Sequence, residues 1–212
     1  MTRKDTEESE AIRLERLWAG DFGVAYADRN RALDDRRAIF WDRILDEYPI
    51  RSVLEIGCGQ GANLRPIARR LQPSDVWGVD LGAVALERAR ENAPGVNVVQ
   101  AQARDVPFRD RFVDLAFTCG VLIHQPEETL ARVIGEVVRC SARYVLWIEY
   151  YAPKTEEIPY HGETGALFRR DYGRIYADLH PELRLVEEGY GEREIDFDQA
   201  TWQLLERVPS TG

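Results

Sequence analysis

The sequence predicts an α/β protein: a mostly parallel sheet covered by helices on both faces, preceded by an N-terminal helical cap. Two observations carry this. From Arg51 onward, short apolar runs alternate with amphipathic stretches of roughly ten residues, the pattern of strands buried on both faces and linked by crossover helices. The first fifty residues instead show only helical spacing of their apolar side chains.

In that N-terminal part Ile12, Leu14, Leu17 and Trp18 recur at helical spacing, and Ala32-Leu33 through Ile39-Phe40-Trp41, Ile44 and Leu45 do so again. The glycine break Ala19-Gly20-Asp21-Phe22-Gly23 between them predicts two helices with a joint, and Tyr48-Pro49 ends the second. Strands are predicted over residues 53–56, 76–79, 96–99, 112–118 and 144–148, with helices over 63–71, 83–92 and 127–138. Pro66 is tolerable because it falls in a first turn. Residues 150–165 read as a long loop rich in Pro, Gly and aromatics, a length that points to function. A helix over 167–179 follows, then strands over 183–189 and 200–208 that can pair as an antiparallel hairpin. Residues 1–49 are expected to form the cap and 50–212 the sheet domain, as one structural unit.

Composition narrows the partners. With 44% hydrophobic and 31% charged residues the chain is ordinary globular protein. Its formal net charge of −9 lacks the basic footprint that phosphate backbones demand, so a small-molecule substrate is expected and no nucleic acid. No apolar stretch approaches the ~20 residues that span a bilayer, and Met1-Thr2-Arg3-Lys4-Asp5 leads into charge without a signal-like apolar region. A cytoplasmic monomer or homodimer is the expectation. Cys58, Cys119 and Cys140 are odd in number and far apart, so three reduced thiols are expected, with no disulfide framework and no metal site.

The chemistry-bearing motif is Glu55-Ile56-Gly57-Cys58-Gly59-Gln60-Gly61, at the end of the first strand. Glycine suits a tight turn that visits positive φ and lets a ligand approach backbone N–H groups. In an open parallel sheet, ligands collect at such carboxyl ends, beside the point where strand order reverses. The spacing is GxGxG rather than the dinucleotide GxGxxG, and no Gly-Lys-Ser/Thr follows to hold a triphosphate. Asp80, ending the second strand about twenty residues on, can accept both hydroxyls of a ribose. Together these point to S-adenosylmethionine (SAM); the competing readings are a structural turn or an eroded NAD site.

The pattern resembles that of the class I SAM-dependent methyltransferases: acid-x-Gly-x-Gly-x-Gly, an acid ending strand two, and a Rossmann-like seven-stranded sheet finishing in an antiparallel hairpin. The likeness runs from Arg51 to Val208. It implies Glu55 near the methionine amino group, and Gly57 and Gly59 under the ribose and the methionine carboxylate. Cys58 and Gly61 complete that turn; Asp80 falls on the ribose and Leu81 beside adenine. The segment Ala101-Gln102-Ala103-Arg104-Asp105-Val106-Pro107-Phe108 resembles the third motif of these enzymes. Gln102 stands where an acid often accepts the adenine amino hydrogen, which an amide oxygen can also do; Ala103 adjoins it. A closer likeness, through Trp18-Ala19-Gly20-Asp21-Phe22-Gly23, Gly120-Val121-Leu122-Ile123-His124 and Glu149-Tyr150-Tyr151 with Glu157-Ile158-Pro159-Tyr160, is to the pseudaminic acid biosynthesis-associated methylases.

Three functions are compatible with such a site. The first is methyl transfer to oxygen or nitrogen of a small polar metabolite. The second is attack of the methionine amine on its own γ-carbon, giving azetidine-2-carboxylate and methylthioadenosine. The third is non-catalytic SAM binding. Either displacement needs orientation and exclusion of water, and aromatic faces favour a sulfonium. Trp18, Phe22, Tyr26, Tyr160 and Tyr172 are the candidate lid, with core packing the alternative for Trp18. His124, Glu149, Tyr150 and Tyr151, all at carboxyl ends of strands, are the candidate catalytic cluster. His124 can take a proton; a backbone-bonded His and a structural ion pair are the alternatives for His124 and Glu149. Cys119 either lines the pocket or is an inert buried thiol.

Overall fold

The computed structural model describes residues 9–30, 33, 35–191, 197 and 199–208. Ala32, near the start of the second predicted helix, lies outside the described residues, as does much of the link between the last two strands.

Among the described residues three helices, not two, precede the sheet: α1 (Glu10–Ala19), α2 (Asp21–Arg29) and α3 (Arg37–Glu47). The predicted joint shrinks to Gly20, because Asp21 starts a new helix at once, its carboxylate suited to the positive helix end. Gly23 belongs to α2 itself, where a Cβ would lie 1.9 Å from the Trp18 carbonyl oxygen. The two glycines therefore make a corner in which α1 and α2 touch backbone to backbone. Helix α1 is moored to the rest of the molecule at three points. The Glu128 carboxylate accepts from the Ala11 N–H at 2.7 Å, satisfying a donor that the helix start leaves open. Glu15 pairs with Arg104 at 2.5 Å, and Arg13 donates to the Thr164 carbonyl at 2.9 Å.

Strands β1 (Val53–Ile56), β2 (Val76–Asp80), β3 (Asn97–Gln100), β4 (Val113–Cys119) and β5 (Ser141–Glu149) are all parallel. A short ribbon of β6 (Glu156–Glu157) and β7 (Phe168–Arg169) stands inside the segment predicted as loop and helix. Strands β8 (Leu183–Tyr190) and β9 (Thr201–Arg207) form the expected antiparallel hairpin, β9 lying against β5. The seven-stranded order is β3-β2-β1-β4-β5-β9-β8, so chain direction across the sheet reverses between β1 and β4. That is where a ligand crevice opens in such folds.

Helices α4 (Leu64–Ile67), α5 (Ala83–Asn92), α6 (Glu127–Cys140) and α7 (Tyr172–Leu179) complete the layers. On one face Trp41 and Ile44 of α3, Leu64 of α4 and Leu86 of α5 pack with Leu115, Phe117 and Leu146. On the other, Leu130, Val133, Ile134 and Val137 of α6 form a helical stripe against Val145 and Trp147. Two predicted helices are shorter than expected. Helix α4 is a single turn that accommodates Pro66, after which the chain continues in tighter bonds such as Arg69 N–H to the Pro66 carbonyl. Helix α7 starts at Tyr172 because Phe168 and Arg169 pair in the ribbon and the Asp171 side chain caps the first turn through the Arg174 N–H. Among the described residues no helix is long and apolar enough to cross a membrane.

Candidate active site

The glycine turn is built by backbone contacts. The Gly57 and Cys58 N–H groups both donate to the Val79 carbonyl, at 2.7 and 2.9 Å, docking the end of β1 on that of β2. Gly57 has φ +79, and a Cβ there would come within 2.3 Å of Val121 Cγ2. Gly59 has φ +51 with nothing within 4 Å of where its Cβ would be, so the chain leaves open room above the turn. Asp80 fixes that room: Oδ2 accepts from the Gly59 N–H and Oδ1 from the Gly82 N–H, each at 2.8 Å. Gly61, with φ +82, packs against Ala89 of α5 outside the cavity, so its place is close packing and not the cofactor contact expected of it.

A cavity of about 800 Å³ opens above the turn. Glu55, Gly57, Cys58, Gly59, Asp80 and Leu81 line it from the β1 and β2 side; Ala103, Cys119, His124, Glu149 and Tyr150 line it from the others. Trp18, Tyr26 and Tyr160 close it from the cap and the 150–170 segment. The rings are mutually braced, Trp18 lying 4.5 Å from His124 and 5.3 Å from Tyr26 between centroids. Burial pushes the Tyr26 phenol up to about 12 and the Cys119 thiol likewise, so both stay neutral.

Glu55 is 2% exposed. Its Oε1 accepts from Asn63 Nδ2 at 2.6 Å, while Oε2 has no partner although it is buried. Burial pushes this carboxyl up to about 8, against the opposing pull of the Asn63 bond and the Arg37 charge. His124 Nδ1 lies 2.6 Å from the Ala166 carbonyl oxygen, which can only accept. The proton therefore sits on Nδ1 and Nε2 carries the lone pair. Burial lowers the imidazole to about 4, so it is neutral at physiological pH.

Glu149 faces a different partner from the one its position suggests. Its oxygens accept from the N–H groups of Val121, Leu122 and Ile123 at 3.1, 3.1 and 3.3 Å, clamping the turn that leads into His124. Four further expectations need correction. Tyr151 is 48% exposed and outside the cavity, because Tyr150 takes the inward direction and its neighbour the outward one. Tyr172 is fully buried beneath Trp147, its hydroxyl donating to the Phe168 carbonyl, since α7 packs on the sheet and not over its edge. Phe22 buttresses Trp18 edge-on at 5.2 Å without lining the cavity. Gln102 is also outside the lining; its amide donates to Glu15 of α1 at 3.2 Å. Asn63, Arg37 and Gln60, which do line it, had no signal in the sequence. Among the described residues no group of His, Cys, Asp or Glu is arranged to hold a metal.

The sheet order, the seven strands and the flanking helices are the Rossmann-like fold of class I SAM-dependent methyltransferases. Residues 53–143 match the family model described as a methyltransferase domain. The chain is 34% identical over 132 residues to an uncharacterized 37.1 kDa protein in transposon TN4556 of Streptomyces fradiae, covering 58% of this chain and 38% of that protein. It therefore spans about two fifths of the length of this curated relative. The SAM-bound magnesium protoporphyrin IX methyltransferase of Synechocystis superposes with a TM-score of 0.70 at 14% identity, over 96% of this chain and 100% of that one. The 1,6-didemethyltoxoflavin-N1-methyltransferase of Burkholderia thailandensis gives 0.71 at 15%, over 96% and 93%.

The residues fit SAM. An unpartnered buried carboxylate oxygen suits an ammonium, the open space at Gly59 suits a chain lying on the turn, and Asp80 retains lone pairs for a ribose.

Proposed function

We propose that the protein is a SAM-dependent methyltransferase acting on an oxygen or nitrogen of a small polar acceptor, sugar-like or amino-acid-like. The observation that carries this is the lone Glu55 Oε2: a buried carboxylate oxygen without a hydrogen-bond partner, in a cavity that Asp80 also lines. Glu55 would hold the methionine ammonium and Asp80 the ribose, with the turn at Gly57, Cys58 and Gly59 beneath. Leu81 and Ala103 would flank the adenine. Bound SAM supplies an electrophilic methyl group. The chain contributes orientation, exclusion of water by Trp18, Tyr26 and Tyr160, and a hydrogen-bond acceptor at His124 Nε2 for the acceptor's O–H or N–H. Because burial keeps His124 neutral, it orients that hydrogen more than it removes it.

The two solved methyltransferases named above act on a porphyrin and on a toxoflavin precursor, so likeness of fold leaves the acceptor open. The resemblance to the pseudaminic acid biosynthesis-associated methylases is the ground for the sugar-like acceptor. The same reading has residues 1–49 acting as a cap over 50–212, in a cytoplasmic monomer or homodimer without a nucleic-acid partner. The test is incubation of purified protein with SAM and a panel of hydroxyl- and amine-bearing sugars and amino acids, read by mass spectrometry. S-adenosylhomocysteine formed only with an acceptor present supports the proposal; none with any of them overturns it.

The Glu55 carboxyl gives a pH dependence. Held near 8, it is mostly protonated in the free protein at pH 6, and an ammonium ligand must displace that proton. Affinity for S-adenosylhomocysteine is expected to rise by up to about tenfold per pH unit from 6 towards 8 and then level off. Methylthioadenosine, which has no ammonium, should show a flat profile in the same calorimetric titration.

A further inference from the structure

We propose that Asn63 is the positioning residue that presents the Glu55 carboxylate to a ligand ammonium, and that Arg37 and Trp41 of α3 set Asn63 for that task. The inference rests on the reading of the cavity as a SAM site.

The geometry leaves one orientation for the Asn63 amide. Its Oδ1 accepts from Arg37 Nη1 and from Trp41 Nε1, each at 3.2 Å, and both of those groups can only donate. Its Nδ2 is then directed at Glu55 Oε1, 2.6 Å away. A flipped amide would set NH2 against two donors and oxygen against a carboxylate, so the network admits no alternative. Asn63 is 2% exposed and Trp41 fully buried, which gives the arrangement little freedom to relax.

The consequence falls on Glu55. A carboxylate with one oxygen held has its other oxygen fixed in direction, and that oxygen, Oε2, is the one without a partner. Asn63 thus decides which oxygen faces the ligand and favours the ionised form that an ammonium needs. Helix α3 reaches this site through the Asn63 bonds and through Arg37, which lines the cavity, so an element packed on the sheet face sets the geometry of the cofactor's amino-acid end.

Two ligands separate this role from general support of the fold. S-adenosylhomocysteine carries the α-ammonium; methylthioadenosine has the same nucleoside and lacks the amino-acid group. In Asn63→Leu, S-adenosylhomocysteine affinity is expected to fall about tenfold or more, one charge-assisted bond's worth, with methylthioadenosine affinity within about twofold of wild type. Asn63→Asp, which keeps the shape and the bonds to Arg37 and Trp41 but sets a second acid against Glu55, covers the case in which the leucine variant does not fold. It should show the same selective loss. Trp41→Phe removes one of the two donors to Asn63 and should give a smaller loss with the same selectivity. Equal losses for both ligands, or unchanged binding of S-adenosylhomocysteine, would overturn the role of Asn63. Wild-type protein that binds neither ligand would overturn the SAM reading itself, and this inference with it.

Discussion

Replacing Asp80 with alanine is expected to weaken S-adenosylhomocysteine binding on the order of 100-fold, measured by calorimetry. The carboxylate does two things at once. It accepts the Gly59 and Gly82 N–H groups at 2.8 Å, holding the glycine turn against the loop that follows β2. In the proposed complex it also receives the ribose hydroxyls. Truncation strands two backbone donors and removes the ribose partner, and a loss of roughly 3 kcal/mol from these together corresponds to about that factor. Asp80→Asn keeps the shape but sets an NH2 against one of the two backbone N–H groups. Its amide has one accepting oxygen instead of two, so binding should fall, and methylthioadenosine and S-adenosylhomocysteine, which share the ribose, should weaken alike. Wild-type affinity in Asp80→Ala would remove Asp80 from the binding site.

The second large effect is on stability. Glu149→Ala leaves the N–H groups of Val121, Leu122 and Ile123 without their acceptor at the base of the cavity. Stranding buried donors in this way costs about 3–5 kcal/mol, and the melting temperature should drop by roughly 10 °C. The pH sign follows from burial. The folded protein holds the Glu149 proton up to about 7, above the ordinary carboxyl value near 4.5, so the folded state binds more protons than the unfolded one between those limits. The contribution of Glu149 to stability is therefore full below about 4.5 and declines as pH rises through 7. Glu149→Gln, which does not titrate, should flatten that part of the stability profile in chemical denaturation. An unchanged melting temperature in Glu149→Ala would mean that the 121–124 turn is held by other contacts.

Much of the sheet was legible because its signals are local. Continuous apolar runs mark strands buried on both faces, and the glycine spacing after β1 marks a turn whose φ values of +79 and +51 few other residues adopt. The hairpin of β8 and β9 followed from two runs close in sequence. What the sequence hid was direction. Glu149 looks like a free acid at a strand end, yet backbone donors 26 to 28 residues away claim its oxygens. Tyr150 and Tyr151 are chemically equal neighbours, and only the path of the chain after β5 decides which faces inward. Asn63 is one more polar residue after a glycine turn until the fold brings Trp41, 22 residues earlier, and Glu55 to either side of it. Arg170 makes the same point in reverse: an arginine within the predicted 167–179 helix carries no mark of burial, yet it is 2% exposed, its guanidinium lying over the Phe168 ring at 4.4 Å.

The three moorings of α1 bear on traffic through the site. Trp18 and Tyr26 roof the cavity, and lifting α1 away from it breaks its contacts with Glu128, Arg104 and Thr164 together. All three involve charged side chains at partly exposed positions, and the Glu15–Arg104 ion pair is the one that dissolved ions screen most directly. In the proposed enzyme, exchange of spent for fresh cofactor would pass a gate latched by charged groups, and turnover under saturating conditions should quicken as salt loosens it, until the roof no longer keeps water out.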